Sequence, residues 1–547
     1  MARRVLRAAP AFVPAALIAA GGWLHRWMNE DAYINLRVVE QIFHGHGPVF
    51  NAGERIEAAT SPLWIAVLCT GRFVFGLLVR DEWIAVMASL LAAVAAFVVA
   101  GLAARRLHRD DDGVVVPVGL LLVAAVAVVW DFSTSGLEMG LVWLWLASSW
   151  FVLVTVARDG GIEGRRRNLA AATLGLAPLI RPELGLTMIC LLVAWFALVR
   201  PRRVGRDLVA VFAVPGLYEI FRMGYYANLV PNTALAKDAG GLHLGQGWDY
   251  ARDFIDSYHL WLTAALVVAV LALRFARRRD RRVAVATVAL LTGAGLQAGY
   301  IVAAGGDYMH GRLLLPAFFA LGLPASVVVR RQTVAEAAIA VAATGWAALS
   351  VVAFRPPPVV NVFGVSPVAD WRAVSGAKIV LDDSALGLSG REASAAYARG
   401  ERGYFTIAAK SPQPGRDPGA FVLTLGSIGV PAYDAGRNVW VVDIGGLAEP
   451  LAARTAPVPN RPAGHRKQVD FAWYDARFAA PTSADSPQVV AARRALTCGP
   501  VAHLLDAVDG DLTPGRFLSN IWHSFELTRL SIPSDPVAAE REWCAPP

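Results

Sequence analysis

The sequence predicts a mainly α polytopic membrane protein of about eleven transmembrane helices, followed by a C-terminal extracytoplasmic domain of mixed α/β class. Three observations predict it. Hydrophobic residues make up 56% of the 547 and mean hydropathy is +0.46, above the roughly 45–50% apolar usage of soluble domains. Arginines gather in short clusters between long apolar segments. Beyond Arg355-Pro356-Pro357-Pro358 the composition turns to Pro, Gly, Asp and Ser.

The apolar segments fall at Ala8–Trp27, Trp83–Leu107, Val114–Trp130, Leu137–Ala157, Leu169–Ile180, Leu184–Val199, Leu208–Met223, Leu260–Phe275, Val283–Ala304, Leu313–Val329 and Val334–Phe354. The first, preceded by Arg3, Arg4 and Arg7, has the outline of a cleaved signal peptide. An uncleaved helix is preferred because the run continues through Trp23 and Trp27, which suit an interface anchor. The clusters Arg105/Arg106/Arg109, Arg165–Arg167, Arg200/Arg202/Arg203/Arg206, Arg277–Arg282 and Arg330/Arg331 all fall on one side. The positive-inside rule makes that side, and the N-terminus, cytoplasmic. A further apolar stretch, Ser61–Leu78, would invert every later cluster if it crossed; Pro62 at its start and Arg72 within it assign it to the outer interface.

The net charge of +8 therefore reflects topology, not a nucleic-acid-binding face. An odd number of crossings exports residues 355–547, leaving 1–354 as the membrane domain. In the tail, Phe421–Leu425 and Asn438–Ile444 read as strands, and Val489–Cys544 reads as helical. Of four cysteines, Cys498 and Cys544 share this exported region. They are candidates for a disulfide, the alternative being two separately buried thiols.

The outward connections carry the chemistry. The first, Asn29–Thr60, holds Glu30, Asp31, Tyr33, Arg37, Glu40, Glu54, Arg55 and Glu57. Adjacent carboxylates beside hydrocarbon are costly unless they face water, and a carboxylate held near a lipid headgroup can accept a sugar hydroxyl's proton. The second, Ser133–Glu138, sets Glu138 just inside a helix that Ser135 caps. The third is Arg181-Pro182-Glu183, either a local ion pair or an arginine turned to a phosphate. The fourth, Gly224–Ser257, holds Asn228, Asn232 and Lys237, the only lysine before Lys378. The fifth, Gly305–Arg312, sets Asp307, His310 and Arg312 before a helix, an arrangement suited to an anion. His44 and His46, two apart without a third ligand, make a poor metal site. No cofactor motif occurs, and dependence on a divalent metal is left open.

These residues resemble a known family. The acidic residue after the first helix, the interfacial Ser61-Pro62-Leu63-Trp64 helix, Arg105-Arg106 closing the second spanning helix and the Arg181-Pro182 hairpin look like the GT-C membrane glycosyltransferases, which use polyprenyl-phosphate sugars. More closely, the segments Asp31–Val39, Gly45–Arg55, Pro231–Lys237 and Gly306–Arg312, with Thr513–Leu518 in the tail, look like the arabinofuranosyltransferase B family of mycobacteria and its relatives. The resemblance implies a GT-C catalytic domain over 1–354 and a soluble cap or carbohydrate-binding domain over 355–547. It implies transfer of terminal D-arabinofuranose from decaprenylphosphoryl-arabinose to arabinan ends of arabinogalactan or lipoarabinomannan, through a β-(1→2) link at the plasma membrane.

In that frame Asp31 matches the catalytic carboxylate with Glu30 beside it. Arg181, Lys237, His310 and Arg312 are candidates for the donor phosphate, and Tyr33, Arg37, Glu57, Glu138, Asn232 and Asp307 for the substrate. If donor and product are both β-linked, configuration is retained. That asks for a carboxylate nucleophile or for attack on the leaving-group face. A different polyprenyl-phosphate sugar, mannosyl for example, is the alternative within enzymes. A transporter or assembly factor on the same scaffold is the alternative outside them; the polar clusters at one face, rather than at mid-membrane, favour interfacial chemistry.

Overall fold

The computed structural model describes residues 9–199, 204–238, 240–330, 334–355, 391, 394–395, 398–399, 403–405, 421–458, 461 and 464–544. Arg3, Arg4, Arg7, Arg200, Arg202, Arg203, Arg331 and the Pro356–Pro358 run lie outside them. The chain forms two compact units that interleave in sequence. The first comprises Met1–Asn29, Thr70–Gly216 and Gly241–Ile379; the second comprises Glu30–Cys69, Leu217–Gly240 and Val380–Pro547.

In the first unit, long stretches free of proline give, among the described residues, five helices long and apolar enough to cross a membrane: Asp81–Leu107, Met139–Asp159, Leu260–Arg277, Arg281–Ala303 and Val334–Val352. Shorter apolar helices cover Ala9–Leu24, Leu184–Leu198 and Arg312–Gly322. Without a hydrophobic drive between them in lipid, such helices associate through close backbone approach at small residues. A Cβ on Gly140 would lie 2.2 Å from the Ser89 carbonyl oxygen, and one on Gly293 would lie 2.9 Å from Thr187 Cα. Phe97, Trp143 and Phe319 fill the space around the first contact with rings 5.1–6.4 Å apart.

Three of the expected spans are broken. Val114–Trp130 is a strand, Val114–Val116, then short helices Val118–Ala124 and Ala127–Phe132. Leu313–Val329 ends its helix at Gly322 and finishes as strand Val327–Val329, which pairs antiparallel with Val114–Val116. Both strands are runs of β-branched valine, and Pro117 directly after the first favours extended backbone at Val116. Leu169–Ile180 divides into Gly164–Gly175 and Ala177–Ile180, because Pro178 cannot continue the hydrogen-bond ladder.

The second unit contains a parallel three-stranded sheet in chain order, Gly403–Phe405, Phe421–Leu425 and Val439–Asp443. Parallel neighbours need a crossover, supplied by helix Val430–Ala435. Four later helices start at a side-chain cap: Asp470, Ser486, Thr513 and Asp535 each accept an amide hydrogen bond. After the last three stands a proline in the first turn, where no donor is missed. Cys498 and Cys544 form a disulfide with Cα atoms 5.4 Å apart. One core surrounds Trp473, Tyr474, Val442, Leu504 and Leu527. A second joins Ile34, Phe50 and Ala58 to Leu423, Leu425 and Val441, so residues from the connection at 29–60 are part of the tail's own core.

Candidate active site

The first helix ends at Leu24, so the acidic pair does not leave it directly. Asp31 instead precedes helix Ala32–Phe43, and its side chain does not cap that helix. The helix buries residues around its circumference, Tyr33, Leu36, Arg37 and Val38 among them, because the strand–turn–helix element at 421–435 packs against it. Tyr33 and Tyr433 meet edge to face at 5.4 Å.

Glu30 is gripped by the turn that follows strand Phe421–Leu425. The Ser427 hydroxyl donates to its carboxylate at 2.6 Å, and the Gly429 amide donates to the same oxygen. Burial pushes the Glu30 carboxyl up to about 7; the Asp31 charge adds to this, while the Ser427, Gly429 and Val430 hydrogen bonds oppose it. The result is one carboxylate of fixed orientation whose proton is exchangeable near neutrality, beside a second, half-buried carboxylate. Such a coupled pair suits proton transfer or nucleophilic attack. Ser427 and Gly429 escaped the sequence reading; the signal was there in Gly426-Ser427-Ile428-Gly429, a small-residue turn between a strand and a helix that presents amides.

Several expected substrate contacts are internal clamps. Arg37 is fully buried and donates to the carbonyls of Phe50 at 2.9 Å, Gly436 at 2.9 Å, Val439 at 2.7 Å and Ala432. Among the described residues no carboxylate pairs with it, and burial brings it down to about 10 against the opposing charge of Glu40. Glu57 is buried against Arg222 at 2.7 Å and Tyr218 at 2.7 Å. Asn232 is buried too, donating to the Gly446 carbonyl at 2.8 Å and accepting from Arg454 at 3.3 Å. Arg37 and Asn232 hold loops together by satisfying backbone carbonyls that no ladder reaches, and Glu57 does so by pairing with side chains of helix Val204–Tyr226. Lys237 closes the short helix Asn232–Ala236. His44 and His46 turn to the Glu40 carbonyl and the Gln41 side chain. Among the described residues no group of three or more His, Cys, Asp and Glu is placed to hold a metal ion.

In the first unit three of the other connections expected to face outward assemble a second charged group. Arg181 donates to both Glu138 and Glu183. Glu138 lies before helix Met139–Asp159 rather than inside it, and Ser135 turns its hydroxyl to the Leu137 amide. Arg312 donates to Asp307 at 2.5 Å; its charge is also felt at Arg181. His310 meets Asp253 at 2.5 Å through Nδ1, while its buried Nε2 has no partner among the described residues. Asn29 donates its amide to Ser135 at 2.9 Å and its side chain to Met309. Two guanidiniums and an imidazole are thus fixed in place by four carboxylates, Glu138, Glu183, Asp307 and Asp253.

Residues 401–542 match the AftB family C-terminal domain. Two relatives, each named terminal beta-(1->2)-arabinofuranosyltransferase, match nearly the whole chain. The one from Corynebacterium glutamicum is 31% identical over 95% of this chain and 85% of its own length. That from Mycobacterium tuberculosis is 32% identical over 95% of each. No solved structure matches significantly. The protein is a multi-pass membrane glycosyltransferase. It belongs to the terminal β-(1→2)-arabinofuranosyltransferase family.

Proposed function

We propose that the chain transfers a terminal D-arabinofuranose from decaprenylphosphoryl-arabinose to the ends of an arabinan glycan, in arabinogalactan or lipoarabinomannan, forming a β-(1→2) link. Family membership over 95% of the chain carries this reading. Asp31 is the catalytic carboxylate. Glu30, held by Ser427 and Gly429, positions it and sets its charge state. Arg181, Arg312 and His310 receive the donor phosphate, with Lys237 as a further cation; Tyr33, Glu138 and Asp307 are proposed to contact the sugars or the lipid headgroup.

The N-terminus is cytoplasmic and residues 355–547 are extracytoplasmic in this proposal. The Cys498–Cys544 disulfide supports that placement, since such bonds persist in oxidising compartments. The deciding experiment is transfer from synthetic decaprenylphosphoryl-arabinose to a short arabinan by purified protein in lipid. Native protein should transfer, and Asp31→Asn should retain less than about 10⁻² of the rate. Undiminished transfer by Asp31→Asn removes the catalytic assignment. No transfer by folded native protein, with turnover of a mannosyl donor, moves the reading to that sugar.

A further inference from the structure

A cavity of about 160 Å³ opens within the first unit, on the side opposite the outward connections in the proposed topology. Its walls are the ends of helices Asp81–Leu107, Met139–Asp159 and Leu260–Arg277, the start of Arg281–Ala303, and strand Val327–Val329. Five arginines line it, Arg158, Arg274, Arg277, Arg278 and Arg330, against three carboxylates, Asp111, Asp280 and Glu336. The carboxylates are already engaged. Asp111 receives Arg278, Arg330 at 2.9 Å and His108 at 2.9 Å. Asp280 receives Arg158 at 3.2 Å and also caps its own helix through the Arg282 and Val283 amides. Glu336 receives Arg277 through one oxygen, leaving its other oxygen without a donor.

Arg274 stands apart from this network. Among the described residues no ion pair reaches it and its Nη1 is buried without an acceptor; Arg158 Nε is buried without one as well, its terminal nitrogens being paired with Asp110 and Asp280. A buried guanidinium donor left unsatisfied costs more than an ordinary lost hydrogen bond, and the lining carries two more positive charges than negative. Basic recesses between transmembrane helices on the cytoplasmic side are suited to anionic headgroups, and a cavity of this size admits a phosphate with a few waters.

We infer that this cavity binds a phosphate-bearing anion through Arg274 and Arg158. The phosphate is carried either by an anionic phospholipid entering from the adjacent leaflet or by a free soluble compound. The site is separate from the carboxylate pair and from Arg181 and Arg312, which belong to the outward connections.

Two arms separate the sources. Delipidated full-length protein is titrated in native mass spectrometry with phosphatidylglycerol, cardiolipin and phosphatidylcholine, and its thermal denaturation is followed with inorganic pyrophosphate. The expected result is one anionic lipid retained where phosphatidylcholine is not, and retention at least about fivefold weaker in Arg274→Gln. Stabilisation by pyrophosphate alone, lost in Arg274→Gln, identifies the soluble source. A photoactivatable phosphatidylglycerol cross-linking to the peptide that contains Arg274 supports the site without any substitution. The inference is overturned if the protein shows no lipid preference and no pyrophosphate stabilisation, if a folded Arg274→Gln retains the lipid equally, or if the cross-link is confined to other peptides.

Discussion

Gly429 stands so close to Glu30 that a Cβ would lie 2.0 Å from the Glu30 carbonyl oxygen and 2.6 Å from its carboxylate. Glycine is needed there for space. Gly429→Ala should displace the acid and lower transfer by about 10²-fold while leaving the folded yield near native; a native rate in that variant would mean that the contact does not position the pair. Glu30→Gln should remove the limb of the pH–rate profile near 7, because the group pushed there by burial and by Asp31 no longer titrates. A limb that persists would locate the titrating group elsewhere. The sequence offered Asp31 by position, as an acid beside hydrocarbon. It could not offer Ser427, 397 residues from Glu30, since nothing local records that distance. The polarity that marks Arg37, Glu57 and Asn232 as substrate contacts also makes them good clamps; their partners decide between the two roles, and partners are a tertiary property.

Helix Phe471–Phe478 carries Arg477 into three carboxylates: Glu54 at 2.8 Å, Asp509 at 2.8 Å and Glu449 at 3.1 Å. Burial pushes Glu54 up to about 8 and Glu449 to about 7, against the pull of Arg477. Between the ordinary carboxylate value and these, the folded state holds protons that the unfolded chain has released. Stability should therefore be full at acidic pH and decline as pH rises toward 8. Thermal melts from pH 5 to 9 check this, and Glu54→Gln should flatten the slope. The disulfide closes a loop of 46 residues, so Cys498→Ala with Cys544→Ala should lower stability by up to about 4 kcal/mol in denaturant unfolding of the oxidised against the variant protein. At this scale most apolar segments read as helices, whereas the single helical reading of Val489–Cys544 passes over the cap-then-proline pairs at 486–487, 513–514 and 535–536 that mark its separate starts. The valine runs at 114 and 327 did not declare themselves, because a short continuous apolar run reads alike as strand or buried helix.

Composition gave the whole molecule its class, yet contiguous reading divides the chain at 354/355 while compactness divides it elsewhere, drawing residues 30–69 and 217–240 into the unit of the tail. Hydropathy marks where a segment leaves lipid but not which distant segment it packs on. Truncation after Phe354 should leave the apolar helices insertable and residues 44–60 open to proteolysis, because Phe50 and Ala58 lose the core they share with Leu423 and Val441; protection of 44–60 in the truncated protein would contradict this. The same interleaving sets an order on biogenesis. Glu30 leaves the ribosome among the first residues, while Ser427 and Gly429 are made almost 400 residues later. At the ~5–20 residues per second of synthesis, the acidic pair waits tens of seconds for its support. Throughout that interval a half-made chain already exposes its acids without the framework that orients them, so chemistry begins only when the last segment has been delivered.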